Sequence, residues 1–155
     1  MTQKARIIPK TKTTVYKQGL YIPKYPHKYV GDVTKIRYMS SWELQTHAFF
    51  DNNPNVLRWS SETLAIPYWN PVKDRAAKYY PDYWIEYINS DREVVQEIVE
   101  VKPKSQTTPP RANKKNKLYE QLVFETNKAK WMAATEFCKH HNLQFRIITE
   151  QSIFK

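Results

Sequence analysis

Apolar and polar residues alternate in several segments of residues 40–155, and this alternation predicts strands. Residues 79–88 alternate and are rich in aromatic side chains, and Val94–Val101 forms a second alternating run. The turn-forming residues 89–91 lie between them, so we expect these two strands to pair as an antiparallel hairpin. Shorter apolar runs predict two earlier strands, at residues 56–59 and 63–68.

Two helices and a final strand complete the predicted order. The first helix begins at Ser40-Ser41 and ends near Phe50. The second covers about residues 116–140, where apolar residues recur on one face at spacings of four and seven: Leu118, Leu122, Ala129, Ala133 and Phe137. Residues 143–149 predict a last strand, which the helical crossover should place in the same sheet and parallel, and a short terminal helix begins at Glu150.

This order predicts one domain of the α/β class, with strands and helices mixed as in α+β folds. The elements run α-β-β-β-β-α-β over residues 40–155, and a chain of 155 residues suits one domain with one core. We expect a mixed central sheet flanked by helices. Residues 1–39 lack helical periodicity and are interrupted by three prolines, so they are predicted as an extended arm outside this domain.

Positive charge is concentrated in two segments. Residues 1–40 carry nine Lys or Arg and one acid, and residues 102–117 carry six basic residues and no acid. Such segments favour a polyanionic partner, and the phosphate backbone of DNA is the obvious candidate. The arm could lie along a duplex or wrap its own domain, and both interpretations stay open. The candidate DNA contacts are Lys24, Lys28, Lys35 and Arg37 in the arm, and Lys104, Gln106, Arg111, Lys114, Lys115 and Lys117 in the loop.

Composition excludes several classes of protein. The single cysteine, Cys138, rules out an internal disulfide and fits a reducing compartment. The N-terminal residues are polar and basic, unlike a signal peptide. No apolar run approaches the ~20 residues that a membrane-spanning helix needs. We therefore expect a soluble protein that acts inside a cell, with no membrane partner.

Asp82 and the sequence Glu100-Val101-Lys102 carry the candidate chemistry. Because side chains alternate along a strand, Glu100 and Lys102 project from the same face. With the turn at residues 89–91, Asp82 lies at about the level of Glu100. Two carboxylates there are unfavourable without a cation between them, and Mg²⁺ prefers oxygen ligands, to which the backbone carbonyl of Val101 would add one more. An acid and a lysine at a strand end can also be a solvent-facing pair of little consequence.

Glu43 has two interpretations. Ser40 and Glu43 form a capping box, with Ser40 as N-cap and Glu43 at the third helical position, and that role needs no metal. Alternatively, Glu43 is a third carboxylate aimed at the site from the start of the first helix. The residues alone leave both open.

The spacing of Pro81-Asp82 and Glu100-Val-Lys102 resembles the signature of the PD-(D/E)XK nuclease superfamily. A longer ordered set resembles the head completion nucleases of large tailed bacteriophages and, more distantly, the endonuclease subunit of heteromeric cut-and-paste transposons. The motifs that carry this resemblance are Ser-Ser-Trp-Glu43, Arg58-Trp-Ser-Ser-Glu62, Ile66-Pro-Tyr68, Tyr80-Pro-Asp82-Tyr-Trp, Val99-Glu-Val-Lys-Pro-Lys104, Trp131 with Ala133-Ala134, and Phe145-Arg-Ile-Ile-Thr-Glu150.

The resemblance implies a restriction-endonuclease-like core in which Glu43, Asp82, Glu100 and Lys102 are the active residues. The first three would hold Mg²⁺, with Mn²⁺ as a substitute, and Lys102 would lie beside the attacking water. The implied activity is endonucleolytic hydrolysis of double-stranded DNA, cutting or trimming packaged DNA during phage head completion. Phage head or portal proteins are the implied partners, and the implied location is the host cytoplasm during assembly or the virion.

Two alternatives to this activity remain. One is a transposon-type or resolvase-like endonuclease. The other is a non-catalytic, DNA-binding structural protein of the virion with a degenerate site, although the intact set of four residues counts against degeneracy. A single active site cuts one strand at a time, so double-strand cleavage would require a dimer or sequential nicks.

Overall fold

The structure of the protein is a computed structural model, which describes residues 18–111 and 117–153. Short 3₁₀ turns occur at Pro26–Lys28, Val33–Lys35 and Lys104–Gln106. The helices and strands follow in this order: β1 Gly19–Leu20, β2 Arg37–Tyr38, α1 Ser41–Asn52, β3 Val56–Ser61, β4 Ile66–Asn70, β5 Arg75–Tyr79, β6 Tyr83–Ile88, β7 Val94–Val101, α2 Lys117–His140, β8 Gln144–Ile148 and α3 Glu150–Ile153.

The strands of the described residues form one sheet of four strands and two sheets of two. The larger sheet has the order β3-β6-β7-β8, while β4 pairs with β5 and β1 with β2. β7 and β8 are parallel. β6 and β7 are joined by residues 89–93, where Asn89 N donates to Glu93 O at 2.9 Å, so neighbouring strands linked by so short a connection run antiparallel. The larger sheet is therefore mixed, as predicted.

The predicted strand over residues 79–88 is wrong in one respect. It is two strands, because β5 ends at Tyr79 and β6 begins at Tyr83. Pro81 lies in the gap, and a proline has no backbone N–H to give to a strand ladder. The prediction also missed β5, which pairs antiparallel with β4 over five residue pairs. Its residues 75–78 are two alanines between basic residues, and this composition carries no strand-like alternation.

By their internal contacts, the described residues divide into two compact units: residues up to Ser61 with Ile85–Val94, and Glu62–Trp84 with residues from Val95 onward. In the first unit, α1 contacts β3. Trp59 of β3 is fully buried. The rings of Tyr29 and Trp59 meet edge to face at 4.8 Å between centroids. The ring centroid of Phe50 lies 6.3 Å from that of Trp59.

Residues 18–39 of the predicted arm belong to this first unit, and residues 1–17 lie outside the described residues. Tyr21 is buried, and its hydroxyl donates to Asp51 at 2.6 Å. Lys28 is also buried, and its Nζ donates to the carbonyl oxygens of Phe50, Asp51 and Asn53 at 2.7–3.0 Å. An ammonium group at the last carbonyls of a helix satisfies acceptors that the helix leaves open.

The core of the second unit lies where α2 contacts β4 and β8. Ile66, Tyr79, Ile98, Ala134 and Cys138 are its buried members, and Trp131 packs against them from one side. Of the predicted apolar face of α2, Ala133 and Phe137 pack against this core. Leu118 and Leu122 are exposed, because only the C-terminal half of α2 carries the core residues. Among the described residues, no helix is long and apolar enough to cross a membrane.

Candidate active site

Asp82 lies in the gap between β5 and β6, and hydrogen bonds hold it in place. Its Oδ2 accepts from the backbone N–H of Val101 at 2.7 Å. Its backbone carbonyl accepts from Glu62 N at 3.0 Å. Because β5 ends at Tyr79 and β6 begins at Tyr83, Asp82 is outside both strands, and it is the side chain of Asp82 that accepts from β7 at this level. The prediction that Asp82 lies at the level of Glu100 is confirmed by this bond to the residue next to Glu100.

Glu100 is a buried carboxylate near the end of β7, with 6% of its surface exposed. The Tyr79 hydroxyl donates to Oε1 at 2.5 Å, and Lys102 Nζ lies 3.7 Å from Oε2. Burial raises the pKa of Glu100 above its usual value, while the Tyr79 hydrogen bond and then the Lys102 charge oppose the increase. A raised pKa at a carboxylate with charged neighbours is typical of functional sites.

Lys102 lies directly after β7, on the same face as Glu100. Its backbone N–H donates to Ile148 O of β8 at 3.0 Å, so the parallel pairing of β7 and β8 holds the lysine's main chain. Its side chain is 26% exposed, against 8% for that of Glu100. The ammonium group therefore stands between a buried carboxylate and solvent, where an anionic substrate could reach it.

Tyr79 is a site residue that the sequence did not single out. It is buried, it ends β5, and burial followed by the charge of Glu100 raises the pKa of its phenol, which stays a protonated donor. Lys130 Nζ of α2 lies 5.7 Å from the centre of the Tyr79 ring. The only signal in the sequence was the position of Tyr79 three residues before Asp82, within what looked like one strand.

Glu43 forms the predicted capping box in the first unit. Ser40 Oγ accepts from Glu43 N at 3.2 Å, and Glu43 Oε1 accepts from Met39 N at 2.8 Å. The prediction of Ser40 as N-cap is confirmed. The carboxylate thus caps the first turn of α1, and its assignment as a metal ligand stays a prediction.

Oxygen atoms near Asp82 and Glu100 are of the type that binds a divalent cation. A strand residue points its N–H and C=O to the same side, so the Val101 carbonyl lies on the side where its N–H meets Asp82. Asp82, Glu100 and Val101 therefore offer the hard oxygen donors that Mg²⁺ takes. Within residues 18–111 and 117–153, no group of three or more His, Cys, Asp or Glu residues is arranged to hold a metal ion. The donor set fits a cation held by two carboxylates and a carbonyl, completed by water and substrate.

The candidate DNA contacts fall in different surroundings. Lys24, Lys35 and Arg37 are exposed in the first unit, and Lys104, Gln106, Arg111 and Lys117 are exposed in the second. Lys114 and Lys115 lie outside the described residues. Lys28 is buried on three carbonyls, so a DNA contact by Lys28 does not fit the structure. Gln106 and Arg111 line a cleft of about 850 Å³ together with Tyr119 and Asn127 of α2.

Comparison with known proteins bears on this site. The family described as "TnsA-like endonuclease N terminal" matches residues 53–150, which include Asp82, Glu100 and Lys102. The "Head completion nuclease" of Enterobacteria phage T4 is 34% identical over 142 residues, covering 87% of this chain and 92% of that protein. The resemblance predicted from the ordered motifs is confirmed by both. On the match over residues 53–150 and the 34% identity, the chain belongs to the family of TnsA-like endonuclease N-terminal domains.

Proposed function

We propose that this chain is a Mg²⁺-dependent endonuclease that hydrolyses phosphodiester bonds of double-stranded DNA and acts in phage head completion. The observation that carries the proposal is the end of β7. There Asp82 is bonded to Val101 N, and the buried Glu100 carboxylate lies 3.7 Å from Lys102 Nζ. Two carboxylates beside an ammonium group form a site suited to the metal-assisted attack of water on a phosphate.

Each residue of the site has a distinct role in this proposal. Asp82, Glu100 and the Val101 carbonyl would hold the cation, with Glu43 as a further carboxylate ligand. When bound, Mg²⁺ would polarise the phosphate and lower the pKa of a coordinated water. Lys102 would orient the attacking water and stabilise the negative charge that grows on the phosphate oxygens. Tyr79 holds one Glu100 oxygen, so that the carboxylate keeps a single orientation.

The chemical part of the proposal is tested by nicking of supercoiled plasmid by the full chain, with Mg²⁺ and with EDTA. Glu100→Gln and Lys102→Met should each lower nicking by at least about 100-fold, the scale of removing a group that stabilises the transition state. Glu97→Gln is the matched control. Glu97 is a buried acid of the same strand on the opposite face, and its Oε1 accepts from Arg146 Nε at 2.9 Å. Wild-type protein that leaves the plasmid intact would refute the activity.

The biological part rests on the length of the shared sequence, since the T4 head completion nuclease is matched over 92% of its residues. The test is complementation of T4 phage that lacks its own head completion nuclease. Expression of this chain should restore the yield of infectious particles, and the Glu100→Gln variant should not. A chain that nicks plasmid but does not restore yield would favour the runner-up, a transposon-type or resolvase-like endonuclease, which the family match also supports.

A further inference from the structure

The antiparallel pair β4 and β5 with its turn at residues 71–74, called the ribbon below, has one anchored face and one open face. Its residue pairs run from Ile66 opposite Tyr79 to Asn70 opposite Arg75. Ile66 and Tyr79 point into the core of the second unit, and Tyr68 packs against the same core. The residues that alternate with these point the other way, as the two-residue period of a strand requires, and are exposed: Pro67, Trp69, Ala76 and Lys78.

The open face and tip of the ribbon carry an exposed tryptophan among basic residues. Trp69 is 58% exposed, and its partner across the ribbon is Ala76, too small to cover it. Lys78 is on the same face, and the tip adds Lys73, Arg75 and one acid, Asp74, all exposed. A protein-binding patch is normally poor in lysine at its centre. A large aromatic with three basic residues and one acid near it fits a nucleic acid backbone better.

The turn at the tip is held in place by hydrogen bonds. Asn70 Oδ1 accepts from Val72 N at 2.9 Å and from Lys73 N at 3.0 Å. An asparagine that bonds the main chain two and three residues ahead fixes the turn conformation. The backbone that carries Lys73 is therefore positioned before any partner binds, which lowers the entropy cost of binding.

The base of the ribbon belongs to the candidate active site, because Tyr79 bonds Glu100 at 2.5 Å. Arg75 is four residues from Tyr79 along β5, a distance of roughly 14 Å at about 3.4 Å per residue. The same length spans about four nucleotides of a duplex strand, at ~3.4 Å each. A two-stranded ribbon is also of a size that the major groove of B-DNA admits.

We propose that the ribbon is a DNA-binding element, in which Lys73, Arg75 and Lys78 bind phosphates and Trp69 packs on the sugar-phosphate backbone a few nucleotides from the scissile bond. The position relative to the scissile bond rests on the proposed nuclease function. The binding itself does not, because it needs only the charge, the exposed ring and the anchored turn. The occupant is a DNA duplex, and a protein partner is the competing outcome.

The test measures the affinity of the full chain for a fluorescent 30-base-pair duplex in EDTA, by anisotropy, over a series of salt concentrations. The double variant Lys73→Gln/Lys78→Gln should reduce the slope of log affinity against log salt by about 2, one for each lost phosphate contact. The matched control is Lys128→Gln/Lys139→Gln on α2, whose side chains are 54% and 70% exposed. This control should leave the slope unchanged.

Trp69→Ala should weaken binding roughly tenfold, the scale of one large apolar side chain withdrawn from water. Its control is Met132→Ala, an exposed apolar residue of α2 at 66%. Equal slopes for the two double variants, or equal affinities for Trp69→Ala and Met132→Ala, would overturn the proposal. A loss of self-association in Trp69→Ala with unchanged DNA affinity would overturn it in favour of a protein partner.

Plasmid nicking in Mg²⁺ separates this proposal from the function proposed above. At protein concentrations too low to saturate the plasmid, ribbon variants should lower the nicking rate in proportion to their loss of DNA affinity, because the ribbon binds the substrate. If wild-type protein fails to nick while the ribbon variants still change the salt slope, the nuclease proposal fails and the ribbon proposal stands.

Discussion

Replacing Tyr79 by phenylalanine removes one oxygen atom from the candidate active site and leaves the ring in the core. That oxygen donates the 2.5 Å hydrogen bond to the buried Glu100 carboxylate. The variant therefore tests whether the Tyr79 hydroxyl stabilises the ionised form of the buried Glu100 carboxylate. A hydrogen bond to a charged group contributes about 1.5–3 kcal/mol, and one between neutral groups about 0.5–1.5 kcal/mol.

The size of the effect should depend on pH. Burial raises the pKa of Glu100 in the folded state, and the Tyr79 bond lowers it, so the variant should raise it further. With the folded pKa above the unfolded one, the folded state binds more protons, and stability from this group is present at low pH and lost as pH rises through the folded value. Tyr79→Phe should thus cost about 2 kcal/mol at pH 8 and about 1 kcal/mol at pH 4.5.

The measurement is urea unfolding of the full chain in EDTA at these two pH values. The matched control is Tyr80→Phe, which removes the same hydroxyl from the neighbouring tyrosine, 52% exposed. It should change stability by less than about 0.5 kcal/mol at either pH. A Tyr79→Phe cost that equals the control, or that is the same at pH 4.5 and pH 8, would refute the view that the phenol supports a charged Glu100.

Three further outcomes are expected. Ser40→Ala should lower the free energy of unfolding in urea by about 1 kcal/mol and keep plasmid nicking. Glu43→Gln should lose nicking with nearly unchanged stability. If Glu43→Gln keeps nicking, Glu43 is a helix cap only. Burial lowers the pKa of His47 to about 4, so as pH falls from 6.5 to 4 wild-type protein should lose about 3 kcal/mol that His47→Gln does not lose; parallel stability profiles would contradict this. Adding Mg²⁺ to EDTA-stripped protein should raise the Tm by about 5 °C at ~100 times Kd, and Glu100→Gln should abolish the rise; an equal rise in that variant would place the ion elsewhere.

The elements with a clear period were predicted at nearly the right bounds, and the errors lie where a proline interrupts a pattern or where tertiary packing decides which residues are buried. Val94–Val101 and the long helix were found at nearly the predicted bounds, since their patterns extend over many residues. The gap at Pro81 was missed because aromatic residues lie on both sides of it and conceal the break. The burial of Leu118 and Leu122 was predicted wrongly because which half of a helix packs is decided by distant strands, a tertiary effect that periodicity does not contain.

The site could be predicted only where its residues belong to one hairpin. Glu100 and Lys102 share a face because of strand alternation, and Asp82 follows from the length of the hairpin. Tyr79 could not be found in this way, since it reaches Glu100 through the pairing of β4 with β5, and β5 had no sequence signal. Lys28 carried a charge that suggested DNA, but its surroundings make it part of the protein interior.

The anchoring of residues 21–28 changes where this protein can be shortened. Asp51 is fully buried, and its carboxylate oxygens accept from the Tyr21 hydroxyl and from the backbone N–H groups of Lys24 and Tyr25. A truncation that removes residues 1–17 leaves these donors in the chain. One that removes residues 1–35 deletes all of these donors together with the buried Tyr21 side chain, at a cost of several kcal/mol. For a protein of ordinary stability that loss is a large part of the total, so the longer deletion would measure unfolding of the first unit rather than the contribution of a basic arm.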